Sequence, residues 1–270
     1  YQCRLEIVGR SPLPAAGESD LTRGRDDPRA LRQALLDAGG GLNPATIEQM
    51  VKTLLHEREM RANLAQMRAA GSAVNYTALD VGDSAAFADF IASRYRELGR
   101  IDGVIHGAGV IEDKLVRDKT PASFARVFDA KVEGALTLAR ELRDDVKFVV
   151  FFSSVAATFG NRGQVDYAAA NAVLDQLAQD WNRRIPGRVL AVDWGPWGEV
   201  GMVIAGLQRE YARKGIGLIP PAAGVAALLA ELATTEEPEA QVVLMCGAPA
   251  AFTAARPSPP AALAVGAPGP

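Results

Sequence analysis

Cysteine is nearly absent from this chain: two in 270 residues, Cys3 and Cys246, far apart and without a ligand-like partner. Two thiols so placed argue against a disulfide framework or a zinc site. They read as buried thiols in a reducing cytoplasm. Long apolar runs are missing too, since the longest strongly apolar stretch, Phe148 to Phe152, is far too short to span a bilayer. A secretory leader is not evident, because Tyr1-Gln2-Cys3-Arg4 opens directly into a short apolar strand. Nor is there an excess of one charge: the formal net charge of -3 gives no reason to expect nucleic acid or an anionic membrane as partner. What remains is 49% hydrophobic and 23% charged, the composition of a soluble globular protein long enough for one large α/β domain.

Both ends read as cut. The chain starts inside a strand, and it finishes in Arg256-Pro257-Ser258-Pro259-Pro260 followed by Ala, Gly and Pro to Pro270. Such a tail favours extended, solvated backbone, so residues 253–270 read as an interdomain linker after a domain spanning 1–252.

Between those ends, strand and helix patterns alternate. Arg4 to Val8 is a short strand running into Gly9-Arg10-Ser11. Helical periodicity covers Asp27 to Asp37 and Pro44 to Ala70, an insertion at about residues 12–60 for which the sequence suggests no chemical role. In the second helix Asn43 and Pro44 supply a cap and a first position, and Gly71 closes it. Leu54, Leu55, Leu64 and Met67 form its apolar face, with Glu57, Arg58, Glu59 and Arg61 on a solvated one. Strands follow at Ala73 to Leu79, Gly103 to His106, Lys147 to Ser153, Arg188 to Trp194 and Gln241 to Cys246. Helices separate them at Ser84 to Leu98, Pro121 to Leu142, Tyr167 to Arg183 and Pro221 to Ala233. Continuous apolar strands between helices predict a doubly wound, Rossmann-like parallel sheet whose ligands sit at the carboxyl ends of the strands.

At one such end stands Phe152-Ser153-Ser154, followed by Gly163-Gln164 and then Tyr167-Ala-Ala-Ala-Asn171. Ser154 ends a buried strand, Tyr167 opens the next helix, and Asn171 lies on the same helical face one turn later. A hydroxyl and a phenol can thus meet one substrate oxygen. Taken singly each residue has a plainer reading: the serine as a cap, the tyrosine as helix surface, and a lone helical lysine such as Lys131 as solvated.

Taken in order, the pattern resembles the short-chain dehydrogenase/reductase superfamily. Within it, the pattern is similar to the ketoreductase domains of modular polyketide synthases and polyunsaturated fatty-acid synthases. Ser154 matches that family's catalytic serine, and Lys131 in Asp129-Ala-Lys131-Val-Glu-Gly134 matches its lysine. Ordinary members carry the lysine one turn after the tyrosine and the asparagine on the earlier helix. Here the two are exchanged, Lys131 early and Asn171 late, as in the synthase ketoreductases. Asp193-Trp194-Gly195-Pro196-Trp197 and Gly201-Met202 match a further segment. The family's first strand and glycine-rich phosphate loop are missing here, and that strand is central in such a sheet. The resemblance therefore implies that the fragment alone binds NADPH poorly.

By the same resemblance, Tyr167 is the general acid, an unperturbed phenol having a pKa near ~10 that a neighbouring Lys131 cation lowers. Ser154 donates to the carbonyl oxygen, and Asn171 anchors the lysine or a relay water. The hydride comes from NADPH rather than NADH, because Arg10 after a strand end suits a 2′-phosphate. The alternative for Arg10 is a surface cation in a turn. Ser11 belongs to the same turn. Asp80 and Val81 resemble an adenine contact, with capping of the next helix as the other reading of Asp80. His106, Gly107, Ala108 and Gly109 let the backbone approach the cofactor, His106 itself having a structural reading, while His56 reads as helix surface.

Ile111-Glu112-Asp113 stands where B-type reductases carry Leu-Asp-Asp, and Phe159 where A-type ones carry tryptophan. That implies a D-configured 3-hydroxyacyl product, with Asp113, Gln164, Trp194 and Met202 in substrate and stereochemical control. A solvated loop acid is the plainer reading of Asp113. Residues 200–218 would cover the acyl chain. The implied partners are an acyl carrier protein bearing a phosphopantetheine-linked β-ketoacyl chain and neighbouring synthase domains, with no metal. A silent reductase-like domain, or a free-standing reductase of small ketones, are the rival readings.

Overall fold

The computed structural model describes residues 2–14, 17–39, 41–199, 211–213, 215–234 and 239–247. They form two compact units that meet in sequence between Val81 and Gly82.

In the first unit, β1 (Arg4–Gly9) pairs in parallel with β2 (Ala73–Ala78), Arg4 opposite Ala73 and Gly9 opposite Ala78. A parallel pair needs a crossover, supplied by α1 (Pro28–Asp37) and α2 (Pro44–Ala69). Both helices start on a side-chain cap followed by proline: Asp27 accepts from Arg29 N–H, and Asn43 from Thr46 N–H at 2.8 Å. Leu31 and Leu35 of α1 pack on Ile47 and Val51 of α2, with Leu54 and Leu55 against them. Gly71 ends α2 at φ 90°, in the left-handed region that glycine reaches without strain.

Arg58 departs from the solvated face expected of it. Its side chain is only 20% exposed and makes a two-pronged bond to Glu18, with further bonds to the carbonyls of Thr22 and Arg25. A guanidinium carries enough donors to staple a turn this way, which an amphipathic pattern does not reveal.

The second unit holds four parallel strands in the order β3 (Gly103–His106), β4 (Phe148–Ser154), β5 (Arg188–Trp194) and β6 (Gln241–Leu244). The intervening helices are α3 (Ser84–Leu98), which precedes β3, then α4 (Pro121–Glu141), α5 (Val155–Phe159), α6 (Val165–Asn182) and α7 (Pro221–Ala233). Val149, Val150 and Phe151 of β4 and Val189 to Val192 of β5 are fully buried. This is the burial expected for the central strands of a covered sheet, and each large side chain contributes about 1.5–3 kcal/mol. With β3, β4 and β5 running the same way, the residues after each strand emerge at one end of this sheet.

Three details differ from the sequence reading. A short helix, α5, follows β4 at once; five residues are too few to display a period. The next helix begins at Val165, so Tyr167 lies within its first turn rather than opening it. Both cysteines are exposed rather than buried, because Cys3 precedes β1 and Cys246 follows β6, beyond the covered part of either sheet. Among the described residues β1 pairs only with β2, and β3 only with β4. No described helix is long and apolar enough to cross a membrane.

Candidate active site

Ser154 is the last residue of β4 and the cap of α5, accepting from Ala156 N–H at 3.2 Å. That bond uses an oxygen lone pair and leaves the hydroxyl proton free to donate. The capping and the functional reading are therefore compatible. From the first turn of α6, the Tyr167 phenol reaches the Ser154 side chain. Burial holds this phenol above its usual value despite opposing hydrogen bonds from Ser154 and Asn171, so the lowering expected from Lys131 does not prevail. Asn171 is fully buried one turn on, and its Nδ2 donates to the Tyr167 carbonyl at 2.7 Å.

Lys131 comes from the middle of α4 and is 4% exposed. Its ammonium stands 5.7 Å from the centroid of the Tyr167 ring and donates to the Phe152 carbonyl. The cation thus sits over the ring face, its bond going to a strand-end carbonyl instead of the phenol oxygen. Burial lowers the lysine to about 8, against the pull of Asp175. Four residues from β4, α4 and α6 are brought together.

The sequence reading missed the acids behind them. Asp175, one turn beyond Asn171, is 3% exposed, and Asp193 of β5 is fully buried. Burial first, then the neighbouring Asp193, raise the Asp175 carboxyl far above the usual range, while Ser153 and Lys131 oppose the rise. Asp193 accepts from Thr158 and, at 3.0 Å, from Gln241. Two signals were present: an acid interrupting the apolar run of β5, and the one-turn spacing of Tyr167, Asn171 and Asp175.

His106, at the end of β3, is buried, and its Nε2–H donates to the Lys131 carbonyl at 2.8 Å. Burial holds the imidazole down to about 4. An unfolded histidine takes its proton near ~6.5, so stability falls as pH drops through that window towards 4. Between pH 7 and pH 5 this group removes about 2 kcal/mol. His106→Gln is expected to shrink the loss by that amount, measured by urea unfolding at the two pH values; an unchanged loss contradicts it.

Gly107 and Gly109 follow His106. A Cβ on Gly109 would lie 3.0 Å from Lys131 Cε, so the backbone there approaches the lysine closely. A Cβ on Gly107 would meet nothing nearer than Phe152 at 4.0 Å, which leaves the backbone open to a ligand. Asp113 accepts from Gln164 Nε2 at 3.0 Å. Trp194 lies beside Ser154 in the β4–β5 register but is 5% exposed, packed on Phe152 and Trp197 in the core. Met202 and most of the 200–218 segment lie outside the described residues.

Arg10, Ser11, Asp80 and Val81 belong to the first unit. Arg10 is exposed just past β1, and the Tyr76 hydroxyl pins the turn by donating to the Ser11 carbonyl at 2.6 Å. Ser11 Oγ lies 3.5 Å from His56. The cap of α3 is Asp83, which accepts from Ala86 N–H, so Asp80 is not used in that way.

The family model described as "KR domain" matches residues 46–199, more than half of the chain. The chain belongs to the KR domain family. This KR chain is 31% identical over 229 residues to a polyunsaturated fatty acid synthase polypeptide of Thraustochytrium sp., covering 81% of the chain and 8% of that protein. It is 36% identical over 189 residues to polyketide synthase ThaG of Burkholderia thailandensis, covering 67% of the chain and 3% of that protein. Among solved structures it resembles the ketoreductase from the first module of phoslactomycin biosynthesis in Streptomyces sp. HK803. The TM-score is 0.66 at 34% identity, over 73% of this chain and 46% of that one. The KR chain thus spans less than a tenth of either synthase. Its fold is the Rossmann-like α/β fold of the short-chain dehydrogenase/reductase superfamily, and its family is one of oxidoreductases.

Proposed function

We propose that this KR chain reduces the β-keto group of an acyl thioester carried on an acyl carrier protein, with NADPH, to the D-configured 3-hydroxyacyl thioester. The observation that carries the reading is the convergence of Ser154, Asn171 and the buried Lys131 ammonium on Tyr167.

The cofactor's fit is supported in each unit separately. In the second, the open backbone at Gly107 and the close approach at Gly109 suit a flat ring beside Lys131. In the first, exposed Arg10 suits a 2′-phosphate, with Asp80 and Val81 towards the adenine. NADPH, when bound, supplies the hydride, which no side chain can.

The protein's own groups do the rest. Ser154 donates to the substrate carbonyl oxygen and orients it. Tyr167 gives its phenol proton to the same oxygen as negative charge develops there. The Lys131 ammonium stabilises the phenolate left behind, and Asn171 holds the first turn of α6 that carries the phenol. Loss of water from so buried a corner strengthens each of these interactions. Asp113 and Gln164, joined by a hydrogen bond, bear on which face of the ketone is presented.

The test is NADPH oxidation by the full chain, in its native polypeptide, given a carrier-bound β-ketoacyl thioester. NADPH should be preferred over NADH, and Arg10→Ala should cut kcat/KM for NADPH about tenfold while sparing NADH. An undiminished NADPH preference in that variant contradicts the role given to Arg10.

A further inference from the structure

The segment between β3 and α4 carries Ile111-Glu112-Asp113 and ends at Lys119, just before Thr120 caps α4. Lys119 is an unusual residue for a connecting loop, because its side chain is 6% exposed and faces a carboxylate that is 1% exposed, Asp166. The Lys119 ammonium donates both to Asp166 Oδ2 and to the Glu112 carbonyl. The other oxygen of Asp166 accepts from the backbone N–H of Tyr167 at 2.9 Å. One lysine therefore ties the Glu112 backbone, through a single carboxylate, to the backbone of the candidate proton donor.

Two flanking bonds run the same way. Lys114 N–H donates to the Gly163 carbonyl at 2.9 Å, and Gln164 holds Asp113. The Glu112 side chain is anchored separately, to Lys114, Ser123 and Arg126. Stability alone gives little reason to bury an ion pair here, since apolar residues of equal volume often stabilise as well or better. What the charged pair adds is direction: its bonds fix a distance between two segments, and a misplacement of about 1 Å can cost about a hundredfold in rate.

We infer that Lys119 and Asp166 are a positioning pair that registers the 111–113 loop against Tyr167 and so selects the face of the β-keto group that receives hydride. This rests on the reductase reading above. Neither residue touches the reacting atoms; both act through Tyr167 and the loop.

The experiment uses the full chain in its native polypeptide, comparing wild type with Lys119→Met and Asp166→Asn. The latter keeps an acceptor for Tyr167 N–H while removing the charge. Four readouts are taken: kcat, KM, product configuration, and backbone hydrogen exchange. We expect kcat to fall about tenfold to a hundredfold, with KM for NADPH changed by less than about threefold. The minor enantiomer should rise by at least about tenfold. Exchange should rise together in residues 111–119 and 163–168, the rest of the chain keeping its protection. Folded variants with wild-type product configuration overturn the inference. So does a Lys119→Met chain that unfolds throughout beside an Asp166→Asn chain of unchanged selectivity. A wild type without turnover overturns the reductase reading instead. The exchange arm then decides the pairing by itself, and independent opening of the two segments overturns it.

Discussion

Tyr167→Phe is expected to lower kcat for thioester reduction by about a thousandfold, within the usual range for removing a general acid. The substitution deletes one oxygen and little else. The ring stays, and with it the contact of the Lys131 ammonium with the ring face. Asn171 loses its bond to the phenol but keeps the one to the carbonyl of residue 167, which phenylalanine also has. Ser154 loses a partner but keeps its capping bond to Ala156. The thermal midpoint should therefore hardly move, which separates lost chemistry from lost structure. The other groups are less well placed to give the proton: Ser154 is far too weak an acid, His106 is neutral and engaged with the Lys131 carbonyl, and the Lys131 ammonium lies over the ring face with its bond to the Phe152 carbonyl. A variant that keeps a tenth or more of the parent kcat contradicts the assignment.

Lys131→Met is expected to cost about a hundredfold in kcat and to erase a pH dependence that the parent shows. Burial lowers this lysine to about 8, so it is charged at neutral pH and loses its proton as pH rises through that value. Reduction needs the charged form, because the phenolate formed as the proton leaves is otherwise unstabilised. The parent's rate should thus hold below about pH 8 and decline above it. The groups facing the ammonium are Asp175 on α6, Asp193 behind it on β5, the Tyr167 ring and the neutral His106 on β3. Methionine fills a similar volume without a charge. A pH–kcat profile for both proteins decides the matter, and an alkaline decline that survives in Lys131→Met contradicts it.

Much of the fold was legible because the two central strands, β4 and β5, are nearly uninterrupted apolar runs and the long helix α2 begins on a recognisable cap. Asn43 with Pro44 is local chemistry, and local chemistry is what a sequence displays. Ser154, Tyr167, Lys131 and Asn171 were legible only as an ordered set, since each one alone has a common structural use. Lys119, Asp166 and Asp175 escaped for the opposite reason. On paper they are charges in loops and amphipathic helices, and only tertiary packing removes them from water. Arg58 was misjudged in the same way, its partners Glu18, Thr22 and Arg25 being distant in sequence. The cysteines failed through position, lying just outside strands whose interiors are covered.

The reductase activity requires that a carrier-bound β-ketoacyl chain, NADPH and this protein together yield a hydroxyl. Mass analysis of the carrier protein after incubation measures that directly. The tethered chain should gain two hydrogens when NADPH is supplied, and do so about a thousandfold more slowly when Tyr167 is phenylalanine. An acyl chain of unchanged mass, recovered from intact protein with bound cofactor, would contradict it.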